Sequence, residues 1–235
     1  MNLLRGEGPL LRVGHRGAAA LAPANTIEAV EAALAHGVDF VELDVFSGRD
    51  GKLVLGHSRK ELTDEPVALE EMLVFLTEQA PETGVLADLK FAGRERAFVE
   101  TLRSHAFIER ALACTSQAAT LQNLRRLEPE LARSRTYPRG RLYLGGHRTF
   151  VRVSGPVQWA IRTALPYRVS GLVEEVGASS MTLNHRAVTR ATIERCHELG
   201  VAVFAWTVND PDIARRLDEL GVDGVITDDP RVPAP

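Results

Sequence analysis

The chain has 235 residues, of which 45% are hydrophobic and 25% are charged, and its formal net charge is −3. This composition is typical of a globular protein and excludes an intrinsically disordered chain. It also excludes a membrane-spanning helix, because no apolar run approaches the ~20 residues that such a helix needs. The slightly acidic balance gives no general electrostatic basis for binding nucleic acid, so we expect no nucleic-acid partner.

Short β-rich runs alternate with amphipathic helices from the start of the chain. The first predicted strand, LLRVGH, leads into a helix with Asn25 or Thr26 as its N-cap and Gly37 as the left-handed residue that ends it. The next strand, FVELDV, leads through an Asp-Gly turn into the extended segment LVLGHS. Later helices are predicted over 68–79, 94–105, 118–127, 189–199 and 210–220.

Eight core strands follow from this alternation. Strands that alternate with helices form parallel β-α units with right-handed crossovers. Eight such units close into a (β/α)8 TIM barrel, so we expect an α/β protein with one barrel domain over residues 1–235. The segment 53–57 is then a local extension of the second strand. The core strands are predicted to begin near residues 10, 40, 85, 111, 131, 179, 201 and 222.

Residues 138–178 interrupt the alternation, because this segment is long, rich in arginine and interspersed with aromatic residues. We expect an irregular, decorated segment with helices, but not one continuous helix. Three roles remain open for it: the sixth helix with a packed loop, a βα loop beside the active site, or an amphipathic surface that makes peripheral contact with lipid.

The chain start, MNLLRGEGPLLRVGHRG, lacks the long apolar run and the small-residue cleavage site of a signal peptide. We therefore expect a cytoplasmic protein, although a chain whose leader had been removed would give the same sequence. The two cysteines, Cys114 and Cys196, make no metal or disulfide framework, and we expect both in the core. No feature of the sequence indicates an oligomeric state.

Candidate functional residues lie near the carboxyl ends of the predicted strands, where the βα loops of a barrel build its active site. Glu42 and Asp44 are two residues apart on the second strand, and Asp88 and Lys90 are two apart at the end of the third. The period of two in a strand points the members of each pair to the same side. The residues singled out at these strand ends are His15, Arg16, Glu42, Asp44, His57, Asp88, Lys90, Trp206 and Asn209.

Three of these residues are carboxylates with no cysteine beside them, and carboxylate oxygens are the ligands that Mg²⁺ and Ca²⁺ prefer. Glu42, Asp44 and Asp88 therefore predict a site for one divalent cation, Mg²⁺ or Ca²⁺. Exposure of the strand carboxylates to solvent is disfavoured, because apolar residues flank them on an interior strand. For Asp88, a simple ion pair with Lys90 is the alternative.

The two histidines suit proton transfer, because an unperturbed imidazole titrates near pH ~6.5. Arg16 and Lys90 supply positive charge for an anion such as phosphate. With His15 and His57 on opposite sides of a phosphorus atom, the set predicts metal-assisted phosphoryl transfer. The other five histidines are given no role, and Trp206 fits core packing equally well.

Seven short motifs mark the two ends of the chain: HRG at 15–17, ANT at 24–26, ELD at 42–44, DG at 50–51, HS at 57–58, FAWTVND at 204–210 and GVDGVITDDP at 221–230. Together they resemble the motifs of the glycerophosphodiester phosphodiesterases, which are metal-dependent enzymes built on a (β/α)8 barrel. The resemblance covers residues 10–60 and 180–230 well and the middle of the chain loosely.

The resemblance implies hydrolysis of a small glycerophosphodiester to sn-glycerol 3-phosphate and an alcohol. Either the glycerol 2-hydroxyl attacks first and gives a cyclic phosphate, or water attacks directly. The roles that the resemblance implies are acid/base catalysis for His15 and His57, metal binding for Glu42, Asp44 and Asp88, phosphate binding for Arg16 and Lys90, and packing against the glycerol or alcohol for Trp206.

Three residues depart from the family pattern. Ser58 stands where an Asp usually follows the second histidine, and Ala24 stands where a Glu usually precedes Asn25. Asp88 replaces a common Glu and is one methylene shorter, so the metal would lie closer to the third strand or take a water bridge.

The segment between His57 and Ala68 is short, which leaves the barrel mouth more open there unless residues 138–178 supply the missing wall. These departures favour an altered substrate over an inactive enzyme. Two alternatives to the small-substrate enzyme stay open: a lysophospholipase D or other phospholipase on the same barrel, and a non-catalytic barrel that binds phosphate.

Overall fold

The computed structural model describes residues 3–48, 50–138 and 154–232. Eight parallel strands form a closed barrel in which the last strand pairs with the first, so the predicted eight-stranded barrel is confirmed. A ninth strand, β3, is antiparallel. In chain order the strands are β1 (Leu11–Gly14), β2 (Phe40–Ser47), β3 (Leu53–Leu55), β4 (Gly84–Leu89), β5 (Ala111–Thr115), β6 (Ala132–Tyr137), β7 (Ser180–Asn184), β8 (Ala202–Trp206) and β9 (Gly224–Thr227).

The short strand β3 folds back on β2, with Leu55 opposite Val45. The predicted extension of the second strand is therefore the second arm of a hairpin. The N–H of Gly56 donates to the carbonyl of Asp44 at 2.8 Å, which brings the chain back to the middle of β2. As a result, His57 reaches the barrel mouth from this hairpin.

The helices predicted outside 138–178 are all present close to their expected bounds. Thr26 is the N-cap of the first helix, because its Oγ1 accepts a hydrogen bond from the N–H of Ala29 at 3.2 Å. Gly37 has φ +65°, the left-handed conformation predicted after this helix. The helices described are α1 (Ile27–Ala35), α2 (Leu69–Gln79), α3 (Glu95–Ser104), α4 (Ala118–Leu127), α5 (Ser154–Glu174), α6 (Arg190–Glu198) and α7 (Pro211–Leu220).

Helix α5 lies within the segment 138–178 and runs unbroken for 21 residues through Pro166. A proline inside a helix costs ~3 kcal/mol. The buried side chains Leu165, Val169 and Val173 pack on the core at ~1.5–3 kcal/mol each, which outweighs that cost. This helix fits the sixth helix expected within 138–178, and residues 139–153 lie outside the described residues.

Two groups of buried side chains hold the barrel together. The larger group lies between the strands and the helices, and it includes Cys196. The smaller group fills the barrel interior beneath the mouth and includes Cys114, with Phe40 and Phe204 in edge-to-face contact at 6.3 Å between ring centroids. Both cysteines are buried and unbridged, as predicted. Among the described helices, none is both long enough and apolar enough to cross a membrane.

Candidate active site

The turn after β1 places two predicted residues at the mouth. The N–H of His15 donates to the carbonyl of Thr227 at 2.7 Å, which ties the turn to β9. Arg16 and Gly17 both have positive φ, +53° and +84°. A Cβ on residue 17 would lie 2.5 Å from a backbone carbon of Ala29, so only glycine lets the turn pass this close to α1. The chain therefore reverses sharply here and directs His15 and Arg16 over the barrel.

The three predicted carboxylates lie together on β2 and β4. Glu42 and Asp44 are almost fully buried, and Asp88 is the residue directly paired with Asp44 across the two strands. One oxygen of each carboxylate lies within 4.8 Å of the others. An all-oxygen set of three carboxylates fits a hard divalent cation, so this acidic cluster has the composition of a metal site.

Two cations compensate this buried negative charge. The Nζ of Lys90 lies 2.8 Å from Oδ1 of Asp44 and 2.5 Å from Oδ2 of Asp88. The Nε of Arg16 lies 2.9 Å from Oδ2 of Asp44. Burial alone would raise the pKa of Asp44, but the hydrogen bond from His57 and the charges of Lys90 and Arg16 outweigh it and lower that pKa. The pair of Asp88 and Lys90 is thus part of the cluster, not an isolated ion pair.

Glu42 behaves differently from Asp44. It accepts a hydrogen bond from the backbone N–H of Arg16 at 2.9 Å, and Nε2 of His15 lies 3.8 Å from its Oε2. Burial and the adjacent charge of Asp44 raise the pKa of Glu42 to about 7. In the metal-free protein, Glu42 is therefore the carboxylate of the cluster that takes up a proton near neutral pH.

His15 is held by a carboxylate that the sequence interpretation missed. Its Nδ1 lies 2.5 Å from Oδ1 of Asp228, the residue after β9. Asn209 donates from Nδ2 to the other oxygen of Asp228 at 2.6 Å, and its Oδ1 accepts from the N–H of Asp228 at 2.9 Å. Burial alone would lower the pKa of His15, but Glu42 and Asp228 outweigh it, and the net pKa is raised. Asp228 lies at the carboxyl end of its strand, as the other site residues do. This position in the sequence is the signal that could have identified it.

His57 lies beside the same cluster, at the end of the β2–β3 hairpin. Its Nδ1 is 3.2 Å from Oδ1 of Asp44 and 3.1 Å from Nη2 of Arg16. Its side chain is 41% exposed, whereas that of His15 is 20% exposed. With Nδ1 facing Asp44 and Arg16, Nε2 is the ring atom left to exchange a proton with a ligand.

Asn25 is a second missed residue. Its Nδ2 donates to Oδ2 of Asp44 at 3.1 Å, and its Oδ1 accepts from the N–H of Asp44 at 3.0 Å. Its φ is +63°, a left-handed conformation that Asn tolerates better than most residues. The middle letter of the ANT motif therefore fixes the orientation of a carboxylate in the cluster, while Thr26 caps the helix.

A cavity of about 510 Å³ opens at the carboxyl ends of the strands and brings the predicted residues together. Its lining also includes hydroxyl-bearing residues on β6 and β7, Thr136 and Thr182, and the apolar Leu86 beside Glu42. Asn209 does not line this cavity, and its link to the site is its pair of hydrogen bonds with Asp228. The predicted residues that line it are His15, Arg16, Glu42, Asp44, His57, Asp88, Lys90 and Trp206.

A second cavity, of about 560 Å³, adjoins the first. It lies beside the short segment between His57 and Ala68, where the sequence predicted a more open barrel mouth. Arg16 and His57 border both cavities. Glu61 and Asp64, from the short segment after His57, line the second. Of the proposed wall from 138–178, Pro138 lines the first cavity, and residues 139–153 lie outside the described residues.

A parallel barrel with buried carboxylates, two imidazoles and two cationic side chains at one mouth has the composition of a hydrolase of phosphoric esters. Residues 15–72 and 61–232 match the model of the glycerophosphoryl diester phosphodiesterase family, and the chain belongs to this family. It is a glycerophosphodiester phosphodiesterase, as the sequence motifs indicated.

Curated relatives and solved structures agree with this assignment over nearly the whole chain. A glycerophosphodiester phosphodiesterase of Caldanaerobacter subterraneus subsp. tengcongensis is 25% identical over 254 residues, which covers 94% of each chain. A human lysophospholipase D is 23% identical over 266 residues, covering 94% of this chain and 83% of that protein. An Oleispira antarctica phosphodiesterase, solved with the product sn-glycerol-3-phosphate, has a TM-score of 0.76 at 21% identity and covers 95% of this chain and 94% of that chain.

Proposed function

We propose that this protein hydrolyses small glycerophosphodiesters to sn-glycerol 3-phosphate and an alcohol, with His15 and His57 as its acid/base pair. The observation that carries the proposal is the meeting of both imidazoles with the acidic cluster on one cavity. Family membership supports the reaction class.

Glu42, Asp44 and Asp88 would hold one Mg²⁺ or Ca²⁺ ion, which when bound polarises a phosphoryl oxygen. The shorter Asp88 still places an oxygen within 4.8 Å of those of Glu42 and Asp44. Arg16 and Lys90 keep Asp44 ionised by their contacts with it, and they present positive charge to a phosphate in the same cavity.

The Nδ1 atoms of the two histidines have different partners, and in both residues Nε2 is left for proton transfer. Asp228 fixes His15 through Nδ1, so its Nε2 is directed toward Glu42 and the cavity. Nδ1 of His57 faces Oδ1 of Asp44, so its Nε2 is the atom that exchanges a proton with the diester or its leaving alcohol. Trp206 borders the cavity at the end of β8 and offers an apolar surface to the glycerol or the alcohol.

Two measurements test this proposal. A chelator abolishes release of glycerol phosphate from glycerophosphocholine, and added Mg²⁺ or Ca²⁺ restores it. His15→Ala and His57→Ala each lower kcat by ~10²–10⁴-fold with little change in melting temperature, whereas His36→Ala, on an exposed histidine outside the cavity, leaves kcat unchanged. Full activity in either cavity variant contradicts the assignment of the pair.

The two chemical routes differ in their need for the glycerol 2-hydroxyl. A diester of propane-1,3-diol phosphate lacks that group and cannot form the cyclic phosphate. Its hydrolysis at an undiminished rate assigns the reaction to direct attack by water. Its complete resistance, with a cyclic phosphate trapped from the normal substrate, assigns the reaction to the 2-hydroxyl.

A lysophospholipase D activity is the second candidate, and the apolar part of the cavity lining favours it. The cavity has an apolar wall that includes Leu86, Leu89 and Ile226, which suits a longer alkyl chain. Glycerophosphocholine, glycerophosphoethanolamine and a lysophospholipid assayed side by side decide between the two. Activity on the lysophospholipid alone contradicts the small-substrate proposal.

A non-catalytic phosphate-binding barrel is the third candidate, motivated by Ser58 and Ala24. Ser58 donates from Oγ to Oε1 of Glu61 at 3.2 Å, so its hydroxyl is directed toward the segment that follows it. This candidate gains support only if the metal-loaded protein releases no glycerol phosphate from any diester tested.

A further inference from the structure

The outer surface of α5 differs from that of the other helices. Among the residues that the structure describes, three large hydrophobic side chains are exposed: Val74, Trp159 and Tyr167. Two of the three lie on α5, where Trp159 is 68% and Tyr167 is 88% exposed. The residues classed as exposed on α5 before Glu174 are Trp159, Ala160, Thr163, Ala164, Tyr167, Arg168 and Gly171.

We call Trp159, Ala160, Thr163, Ala164 and Tyr167 the α5 aromatic face. Its members recur at spacings of three and four residues, so they form one stripe on the helix. Trp159 and Tyr167 are ~12 Å apart along the axis at 1.5 Å per residue. The buried stripe of α5 is also apolar, so the helix has apolar surface on both sides.

The last helix provides the contrast. The residues classed as exposed on α7 after its first turn are Arg215, Arg216 and Glu219, which is the usual solvated pattern of a barrel helix. The side chains of Trp159 and Tyr167 leave most of their area unburied within the described part of the protein. They therefore indicate a surface that is covered by something else.

The charge distribution of the sequence indicates what covers it. Residues 131–173 contain eight arginines and no Asp, Glu or Lys, so all 31 acidic residues of the chain lie outside this stretch. On α5 itself, Arg162 and Arg168 flank the aromatic face. Two of the eight, Arg133 and Arg135, are buried and present no surface charge. Arg162 and Arg168, with no acidic residue on α5 before Glu174, still make the described part of this helix positive, so the partner that complements it is anionic.

We propose that the α5 aromatic face docks the protein on an anionic phospholipid bilayer, with Trp159 and Tyr167 at the level of the lipid head groups. Trp and Tyr are the residues that favour this interface, and flanking arginines add attraction to anionic lipid. A second copy of the chain fits less well, because one helix stripe with two large side chains falls short of the ~800 Å² that a standard interface buries on each partner.

The contacts of α5 also orient the barrel. Nε2 of Gln158 donates to the carbonyl of Arg186, which follows the carboxyl end of β7, at 3.3 Å. The Trp159 end of the helix therefore lies on the same side of the barrel as the active-site cavity. Arg186 is itself exposed and adds a further positive charge there. Docking through this face brings the cavity close to the lipid surface.

Sedimentation with vesicles tests the docking. Wild-type protein binds vesicles of equal parts phosphatidylcholine and phosphatidylglycerol at least ~10-fold more tightly than vesicles of phosphatidylcholine alone. Binding falls when salt is raised from ~0.1 M to ~1 M, because the Debye length shortens from ~10 Å to ~3 Å. The double variant Trp159→Ala/Tyr167→Ala loses at least ~10-fold of the binding, and the matched control Val74→Ala, on the exposed hydrophobic residue of α2, keeps it.

A fluorescence measurement provides an independent readout. Brominated lipid in the same vesicles quenches the tryptophan emission of the wild type, and Trp159→Ala abolishes that quenching. Trp206 lies in the active-site cavity and serves as the internal background.

Four results would overturn the proposal: no binding to anionic vesicles, equal binding by the double variant, protection of Trp159 from iodide without lipid, or a dimer that the double variant dissociates. Protection from iodide would mean that another part of the chain covers the face.

The docking does not depend on the proposed reaction. Hydrolysis of soluble glycerophosphocholine without vesicles is unchanged in the double variant, and loss of that reaction in wild type would count against the proposed function alone.

Discussion

Nδ1 of His15 lies 2.5 Å from Oδ1 of Asp228, although the two residues are more than two hundred positions apart in the chain. The closure of the barrel creates this contact, because β1 pairs with β9 and places the residues after both strands side by side. Asn209 in turn holds Asp228 through two hydrogen bonds. The first histidine of the site is therefore oriented by the last strand of the fold.

Replacement of Asp228 tests this orientation. In Asp228→Ala, His15 loses the partner that fixes its ring, and we expect kcat to fall by ~10–100-fold with little change in KM. Asp228→Asn restores part of the activity, because its side-chain oxygen can accept from the same Nδ1–H. The matched control is Asp229→Ala, which removes the adjacent carboxylate that pairs with Arg231. Equal kcat values for Asp228→Ala and the wild type would show that the contact does not orient the imidazole.

Replacement of Asn25 tests how the acidic cluster is supported. Asn25→Gly keeps the left-handed backbone and removes the two hydrogen bonds to Asp44. We expect the Mg²⁺ or Ca²⁺ concentration for half-maximal activity to rise by ~10–100-fold, since Asp44 is then less well oriented. Asn123→Gly, on the exterior of α4, is the control for removal of an amide. An unchanged activation curve for Asn25→Gly would refute this role.

Gly17 provides a stability prediction with an internal control. Gly17 and Gly93 have nearly the same φ, +84° and +81°, but a Cβ would clash with Ala29 at Gly17 and meets nothing within 4 Å at Gly93. Each Ala substitution costs ~1–2 kcal/mol for the left-handed backbone. The clash adds ~1–3 kcal/mol at Gly17 only. Denaturant unfolding of the two variants measures the difference, and equal stabilities would disprove the close approach of the turn to α1.

The raised pKa of Glu42 predicts a pH dependence for the metal-free protein. Its pKa is about 7 in the fold against an ordinary 4.5, so the folded protein binds this proton more tightly than the unfolded chain does. The free energy of unfolding therefore falls as pH rises from about 4.5 to about 7, by ~3 kcal/mol if the whole shift is expressed. Below that window the contribution of Glu42 is fully present.

Chemical denaturation across this pH range, with metal removed, checks the prediction. In Glu42→Gln the corresponding decrease disappears, because the amide does not titrate. The rise in melting temperature on adding Mg²⁺ or Ca²⁺ grows with pH, since the cation competes with the proton for the same oxygens. A wild-type stability that stays flat between pH 4.5 and 7 would contradict the assigned pKa shift.

The sequence was sufficient to predict the alternation of strands and helices and the residues at the strand ends. Glu42 and Asp44 could be placed on one side because a strand has a fixed period of two. Asp228 and Asn25 were missed because their roles depend on hydrogen bonds between distant segments, for which a single sequence has no periodic signal. The bounds of α5 within 138–178 could not be predicted for a related reason, because the burial that offsets Pro166 is a tertiary effect.

His15 and His57 follow strands that differ in length and in their position in the sheet. His15 follows β1, which has a barrel strand on each side, whereas His57 follows β3, a strand of three residues at the end of the sheet order. Amide exchange will accordingly be faster in the hairpin than in the barrel strands, since short peripheral elements open without global unfolding. On heating, we expect the β2–β3 hairpin to unfold before the barrel does. Hydrolysis would then stop while the barrel strands are still folded.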